Sequence, residues 1–408
     1  MATTLKGPAE KRPNFPIRKR TGTAAFHLSK EAVDFGQEDL ERLTEYDAVM
    51  FFADALWGST SEMPCPHCGT IDTHYWSVRV LRWKCKLCGK RFSVTSKTIL
   101  AGHKLPLVKI LKIAYSWANG SSGVPALQLR RDWNLSYPTI YVLLQKFREG
   151  LLRGHNTGIL CGVQEVDGLD LHGRRYREKR NVPQGGGAAG KPSLPTELVQ
   201  PPEGYEFVGP PLPPKWGKTA KQPEDRRLLM VMRTRGKSQG KGAADTRVGV
   251  AQSESSETAR LLLQKFASSE SAVVSDEDPA YAGFGKLFAE HKSISHSKSF
   301  SDGKGANNNQ AESFNRRMRR GDEGIYLAAS NKYLLDYAAE QTWREDSRRM
   351  STGDKFKHLF CTVLPVGESL WWRGYTHGNH RQTEILLEGP KAARGRGRPK
   401  GSKPRAPR

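Results

Sequence analysis

The chain has no uninterrupted apolar run near the roughly 18 residues that a membrane-spanning helix requires. Nor does it hold a long basic amphipathic helix of the kind that lies on an anionic bilayer. Its first residues lack an apolar signal core, so the expected location is the cytoplasm. Acid is in short supply: 42 Asp and Glu face 65 Lys and Arg, a net charge of +23. That imbalance points to a polyanionic partner, and nucleic acid fits best. Cysteine is scarce too, with six in 408 residues. Four of them fall in close pairs, which suits metal ligation better than disulfides. A hydrophobic fraction of 37% with nine Trp can still build a core, whereas 40 Gly and 24 Pro assign much of the length to linkers.

The two ends are basic. Residues 1–36 read as a disordered arm, with Lys6, Lys11, Arg12, Arg18, Lys19 and Arg20 near its start. The last eighteen residues hold eight Lys or Arg and no acid. Within the tail at 389–408, Arg394-Gly395-Arg396-Gly397-Arg398-Pro399 resembles an AT-hook. Its Arg396 and Arg398 fit a narrow minor groove.

Between the ends, residues 37–102 read as a helical lead-in and a zinc ribbon. Cys65-Pro66-His67-Cys68 is followed after sixteen residues by Cys85-Lys86-Leu87-Cys88, and Gly69 and Gly89 close the two knuckles. Four thiolates complete a tetrahedron, so the Zn²⁺ expected here is structural and leaves His67 no place. Residues 103–155 read as three helices, with a turn at Asn134-Leu135-Ser136 and Pro138 opening the third. This pattern resembles a helix-turn-helix, and a plain helical hairpin is the alternative. Thr139, Tyr141, Gln145, Lys146 and Arg148 are expected to face outward on the third helix, the first four toward DNA.

Residues 156–350 alternate strands and helices. Strands are expected at Gly162–Asp167, Arg227–Met232, Thr246–Ala251 and Ala272–Asp276, with helices at Glu257–Phe266 and Asp278–His291. A Pro- and Gly-rich stretch at 181–222 reads as an inserted loop. Asp167 and Asp276 each end an apolar run, and Glu312 opens a helix free of Gly and Pro. On that helix Asn309, Glu312 and Arg319 lie near one face, because seven residues bring a side chain round to within about 20°. Arg316 and Arg320 add basic charge. A solvated basic helix is the plain alternative. Yet two strand-end acids and a helical acid fit a site for two Mg²⁺ or Mn²⁺ ions, as phosphodiester chemistry uses. Residues 351–388 say little beyond a packed or base-stacking patch at Trp371, Trp372 and Tyr375.

The order of these pieces is similar to that of the bacterial zinc-ribbon DDE insertion-sequence transposases, the ISXO-like group related to the Merlin transposases. The resemblance spans roughly residues 45–350. It rests on the two knuckles, Arg91-Phe92-Ser93-Val94-Thr95-Ser96 with Thr98, Lys104-Leu105-Pro106-Leu107, and Glu165-Val166-Asp167 with Gly173. It continues through Ser275-Asp276-Glu277 with Tyr281, His296-Ser297, Asn309-Gln310-Ala311-Glu312-Ser313-Phe314, Lys332-Tyr333-Leu334, and Glu340 with Trp343, Arg344 and Arg348. It implies a multidomain α+β chain whose α/β catalytic domain is RNase H-like. Asp167, Asp276 and Glu312 match the catalytic triad, and Arg319 matches a basic position often held by Lys. The ribbon and helix-turn-helix would bind the element's inverted-repeat ends, and the reaction would be strand cleavage and strand transfer by an oligomer on DNA in the bacterial nucleoid. Gly168, Lys97 and Asp346 depart from the pattern, Gly168 standing where an acid is often seen. Glu340 is the rival third acid, although its spacing to Arg344 reads better as an i,i+4 ion pair. A DNA-binding protein that no longer cuts is the alternative function.

Overall fold

The computed structural model describes residues 26–172, 226–236, 242–281, 283–294, 308–327, 329–378, 381 and 383–388. The first 25 residues of the basic arm, Arg174–Arg180, the loop at 181–222, His296-Ser297 and the AT-hook-like tail with Arg396 and Arg398 lie outside them.

Helix α1 (Glu45–Trp57) starts at a capping box: Asp47 N–H donates to Thr44 Oγ1, and Thr44 N–H donates to Asp47. It stops at Gly58, whose φ of 68° only glycine adopts readily. The ribbon follows as a two-stranded piece, β1 (Met63–Pro64) with β2 (Ile71–Asp72). A three-stranded piece follows it, β3 (Tyr75–Ser77), β4 (Arg82–Lys84) and β5 (Arg91–Phe92). Trp83 and Phe92 are buried in it, and both rings meet Trp57 of α1.

Three helices come next: α2 (Leu107–Asn119), α3 (Ala126–Trp133) and α4 (Tyr137–Gly154). Pro106 cannot cap α2, and Glu45 of α1 does so instead, accepting from Leu107 N–H at 2.5 Å and Val108 N–H at 3.1 Å. Asn134 turns the chain between α3 and α4 with a φ of 48°, and Ser136 caps α4. The expected helices and turn are therefore present. The expected outward face of α4 is not. Gln145 is fully buried, Lys146 is 8% exposed and Arg148 2%. The reason lies two hundred residues on. Helices α7 (Leu334–Asp346) and α8 (Thr352–Val363) cover this side, so Gln145 donates to Tyr337, Lys146 reaches Ala101 O and Arg148 pairs with Glu340. Gln145 and Lys146 are thus withdrawn from any base edge. Thr139 is half-buried, and Tyr141 is half-buried against Tyr137 and Trp372.

The remaining described chain builds a five-stranded sheet. Its strands are β6 (Val163–His172), β7 (Arg226–Arg235), β8 (Ala243–Ala251), β9 (Ala272–Asp276) and β10 (Glu290–Ile294), in the order β10-β9-β6-β7-β8. β6, β7 and β8 run antiparallel, whereas β9 is parallel to β6 and β10 to β9. Helix α5 (Ser256–Phe266) packs on one face with Leu262, Leu263 and Phe266. Helix α6 (Asn309–Gly321) packs on the other with Ala311, Phe314 and Met318, and α7 joins it there. Two expectations are corrected. β6 does not end at Asp167 but runs five residues past it, because Leu169 and Leu171 continue the buried alternation opposite β7. The helix expected over Asp278–His291 is absent: two short 3-10 turns broken by Gly283 at φ 90° lead into β10.

A buried ion cluster joins the two halves. Glu340, fully buried, takes Arg148 Nε at 2.7 Å and Arg344 at 2.7 Å. Arg344 also donates to Trp117 O, Ala118 O and Gly120 O at the end of α2, where a cation meets the negative pole of the helix. Burial opposes ionisation of Glu340, yet the two guanidiniums hold its carboxyl below its ordinary value. Trp372 is buried against Tyr333 and Tyr375, so the aromatic patch is packing.

Glu340→Gln strands two guanidiniums in the interior. It is expected to cost about 3–5 kcal/mol in urea unfolding; an unchanged midpoint would show that the cluster does not hold the halves together.

Candidate active site and metal centre

In the ribbon, Cys65, Cys68, Cys85 and Cys88 bring their sulfurs within 4.8 Å of one another. Cys65 and Cys88 are 3.8 Å apart, and Cys68 and Cys85 3.6 Å. Sulfurs bound about 2.3 Å from one zinc stand roughly 3.8 Å apart in a tetrahedron, so the cluster fits structural Zn²⁺. Cys65 and Cys85 are buried in the core beneath α1, Cys68 and Cys88 face solvent, and exposed His67 is not part of the group.

The candidate catalytic acids are brought to one end of the sheet by its register. Along the parallel β6/β9 ladder Val163 pairs with Ala272 and Glu165 with Val274. Carried two residues further, that register sets Asp167 beside Asp276, on strands about 4.8 Å apart. Burial first, and then the Asp276 charge, push the Asp167 carboxyl up to about 7.

Helix α6 lies across this end because β6 holds it there. Glu165, fully buried and two residues before Asp167 on the same strand face, accepts from Gln310 N–H at 2.7 Å and Ala311 N–H at 3.3 Å. Asn308, at the N-cap position, does not cap; its amide donates to Val166 O at 3.2 Å. Two turns on, Asn315 Nδ2 donates to Asp167 Oδ2 at 2.8 Å. Glu312 lies four residues after Asn308 and three before Asn315, so its position on the helix is on the face turned toward β6. Glu312 itself is exposed, as are Arg316, Arg319 and Arg320, whereas Arg317 is paired with Glu345.

Among the described residues, only the four cysteines form so tight a group of possible metal ligands; the three acids stand further apart. The donor set is still one that hard cations take. The buried Oδ1 atoms of Asn308 and Asn315 have no hydrogen-bond partner, and Asn315 adjoins the Asp167 carboxylate. Of the other acids weighed, Asp170 pairs with Arg226, Asp278 is exposed, and Glu340 is enclosed by its two arginines.

One residue was missed by sequence reasoning. Glu254 lies in the loop after β8, and Tyr281 donates to its Oε1 at 2.9 Å. Burial, and then the Asp278 and Asp276 charges, raise its carboxyl above the ordinary value despite that bond. No strand end or helix face marks it in the sequence.

Two family models match. The transposase zinc-ribbon domain matches residues 43–91, which hold all four cysteines. The ISXO2-like transposase domain matches residues 207–346, which hold Asp276, Glu312 and Arg319, while Asp167 lies ahead of it. These two stretches of the chain are thus similar to the zinc-ribbon and catalytic-domain models of ISXO2-like transposases. No curated protein and no solved structure matches the chain. Among the described residues no helix is long and apolar enough to cross a membrane.

Two outcomes are expected. The purified protein should carry one zinc per chain by atomic absorption, and Cys85→Ser should lose it together with the near-ultraviolet circular dichroism of the Trp57–Trp83 pair. A retained zinc would show that the metal lies elsewhere. The second concerns Asp167. Its folded pKa lies above its unfolded one, so its contribution to stability is complete below about 4 and is lost as pH rises through about 7. Thermal melts of metal-free protein should therefore fall over that window, and Asp167→Asn should lack this part of the fall and melt higher than wild type at pH above 7. Parallel curves would show that the carboxyl titrates normally.

Proposed function

We propose that the protein is an active DDE transposase that binds the inverted-repeat ends of an insertion sequence and carries out metal-dependent cleavage and strand transfer of DNA. The observation that carries this reading is that Asp167 and Asp276 follow the same end of the parallel β6/β9 ladder, under a helix that Glu165 fixes with Glu312 on its β6-facing side. The sheet order supports an RNase H-like catalytic domain: three antiparallel strands with two parallel ones added beside the first. Asp167, Asp276 and Glu312 would hold two Mg²⁺ or Mn²⁺ ions. Such ions activate the attacking oxygen and steady the leaving one.

The chain's own residues do the rest. Asn315 fixes the Asp167 carboxylate through its amide, and the Glu165 carboxylate fixes the helix that carries Glu312. Arg316, Arg319 and Arg320 offer an exposed cationic surface on that helix to the phosphate backbone. The ribbon and the α3–α4 unit supply further DNA contact, with Thr139 and Tyr141 as the remaining candidates on α4, and the basic tails add affinity that should weaken with salt. Cutting and joining two ends calls for more than one copy on the DNA.

The test is cleavage and joining of a labelled element end by wild type, Asp276→Ala and Glu312→Ala, with Mg²⁺ or with EDTA. Metal-dependent joining lost by at least 10³-fold, on the order expected when catalytic groups acting as a unit are removed, supports the triad in both variants. Equal DNA binding without cutting in all three would leave a silent DNA-binding protein; cutting without joining would leave a nuclease.

A further inference from the structure

We propose that Glu254 is a fourth carboxylate of the catalytic pocket, admitted by Gly168 and oriented by Tyr281, and that it acts with Asp167 and Asp276 on the same divalent cations. The proposal rests on the reading of Asp167 and Asp276 as metal ligands.

Gly168 carries the first part of the argument. It sits in the middle of β6, next to Asp167, and is not among the residues with positive φ, so the backbone there does not demand glycine. Space does. A Cβ at this position would lie 2.7 Å from Glu254 Oε1 and 3.1 Å from both Cδ and Oε2. The whole carboxylate of Glu254 therefore lies against the bare α-carbon of the residue that follows Asp167. Any side chain at 168 would push it away.

Tyr281 carries the second part. It is 1% exposed and stands on the turn that leaves β9 just after Asp276. Its hydroxyl donates to Glu254 Oε1 at 2.9 Å, which leaves Oε2 free of that bond. The backbone of Glu254 is fixed from the other side, because Ser255 caps α5 and exchanges bonds with Thr258. An otherwise exposed glutamate is thus held, at both its backbone and its carboxylate, over the Asp167 end of the sheet.

A ligand is indicated independently by Asn315. This side chain is 4% exposed, its amide nitrogen bonds Asp167, and its Oδ1 has no partner. A buried amide oxygen without a donor, on a side chain bonded to the Asp167 carboxylate, suits a cation and its bound water. Repulsion among Asp167, Asp276 and Glu254 favours a bound cation.

Glu254→Gln keeps the shape and can still accept from Tyr281, so it removes charge alone. Mn²⁺ is titrated calorimetrically into zinc-loaded full-length wild type, Glu254→Gln, Gly168→Ala and Asp276→Asn, with thermal melts and DNA gel shifts to check folding. Glu254→Gln and Gly168→Ala should bind Mn²⁺ roughly ten-fold more weakly, with DNA binding retained. Wild-type Mn²⁺ affinity in Glu254→Gln, alongside its loss in Asp276→Asn, overturns the role of Glu254 and spares the two aspartates. Wild-type affinity in Asp276→Asn overturns the metal reading itself. If Gly168→Ala does not fold, Glu254→Gln decides alone.

Discussion

The carboxylate of Glu165 is the contact on which the catalytic end depends. A helix starts with four N–H groups that have no intrahelical acceptor. In α6 the usual remedy is missing, because Asn308 turns its amide to Val166. Glu165 supplies the acceptor from the strand instead, and Arg235 balances its charge at 2.7 Å. Hydrogen bonds to a buried charged group contribute about 1.5–3 kcal/mol each. Their positional effect matters more here. Glu165 and Asp167 share a strand face, so the group that anchors the helix stands one pleat from the group that the helix must meet. The same device recurs at α2, where Glu45 satisfies a helix that Pro106 cannot cap.

Anchoring continues on the far side of α6. Arg233, 1% exposed, donates to Thr246, to Gln310 O and to Glu345, with its guanidinium over the Phe314 ring. Beyond it the Arg148–Glu340–Arg344 cluster ties α7 to α2 and α4. Trp343 belongs to the same core as Ile110, Phe147 and Phe360, so the helices after the sheet complete the core of the helices before it. Residues 351–388 are therefore partly a structural element: Phe356, Leu359, Phe360 and Val363 lie in that core.

What the sequence made legible was local. Knuckle spacing, the Asn134 turn, the strands ending at Ala251 and Asp276, and the Glu340–Arg344 pair all follow from residues within a few positions of one another. What stayed hidden depended on distant partners. The polar residues of α4 look like an exposed reading face until α7 and α8 are known to cover it. The helix expected over Asp278–His291 gives way to two 3-10 turns and the first two residues of β10, because pairing with β9 decides that stretch. Glu254 had no pattern to find; its role becomes visible through the missing Cβ at Gly168, a residue that sequence comparison marks only as a departure.

The electrostatics of the pocket explain why its acids are distributed as they are. Two aspartates on adjacent strands cannot both ionise cheaply while half-buried, and the fold answers by holding Asp167 near neutrality. A third acid placed equally deep would add to that repulsion with nothing to offset it. Glu312 and Glu254 instead come from other elements, one on the exposed face of a helix and one in a loop where burial already raises its carboxyl. Strands supply the fixed pair, and the surface elements supply charge that can close on it. Under the proposed metal-dependent reading, the repulsion between these acids is what would favour cation binding.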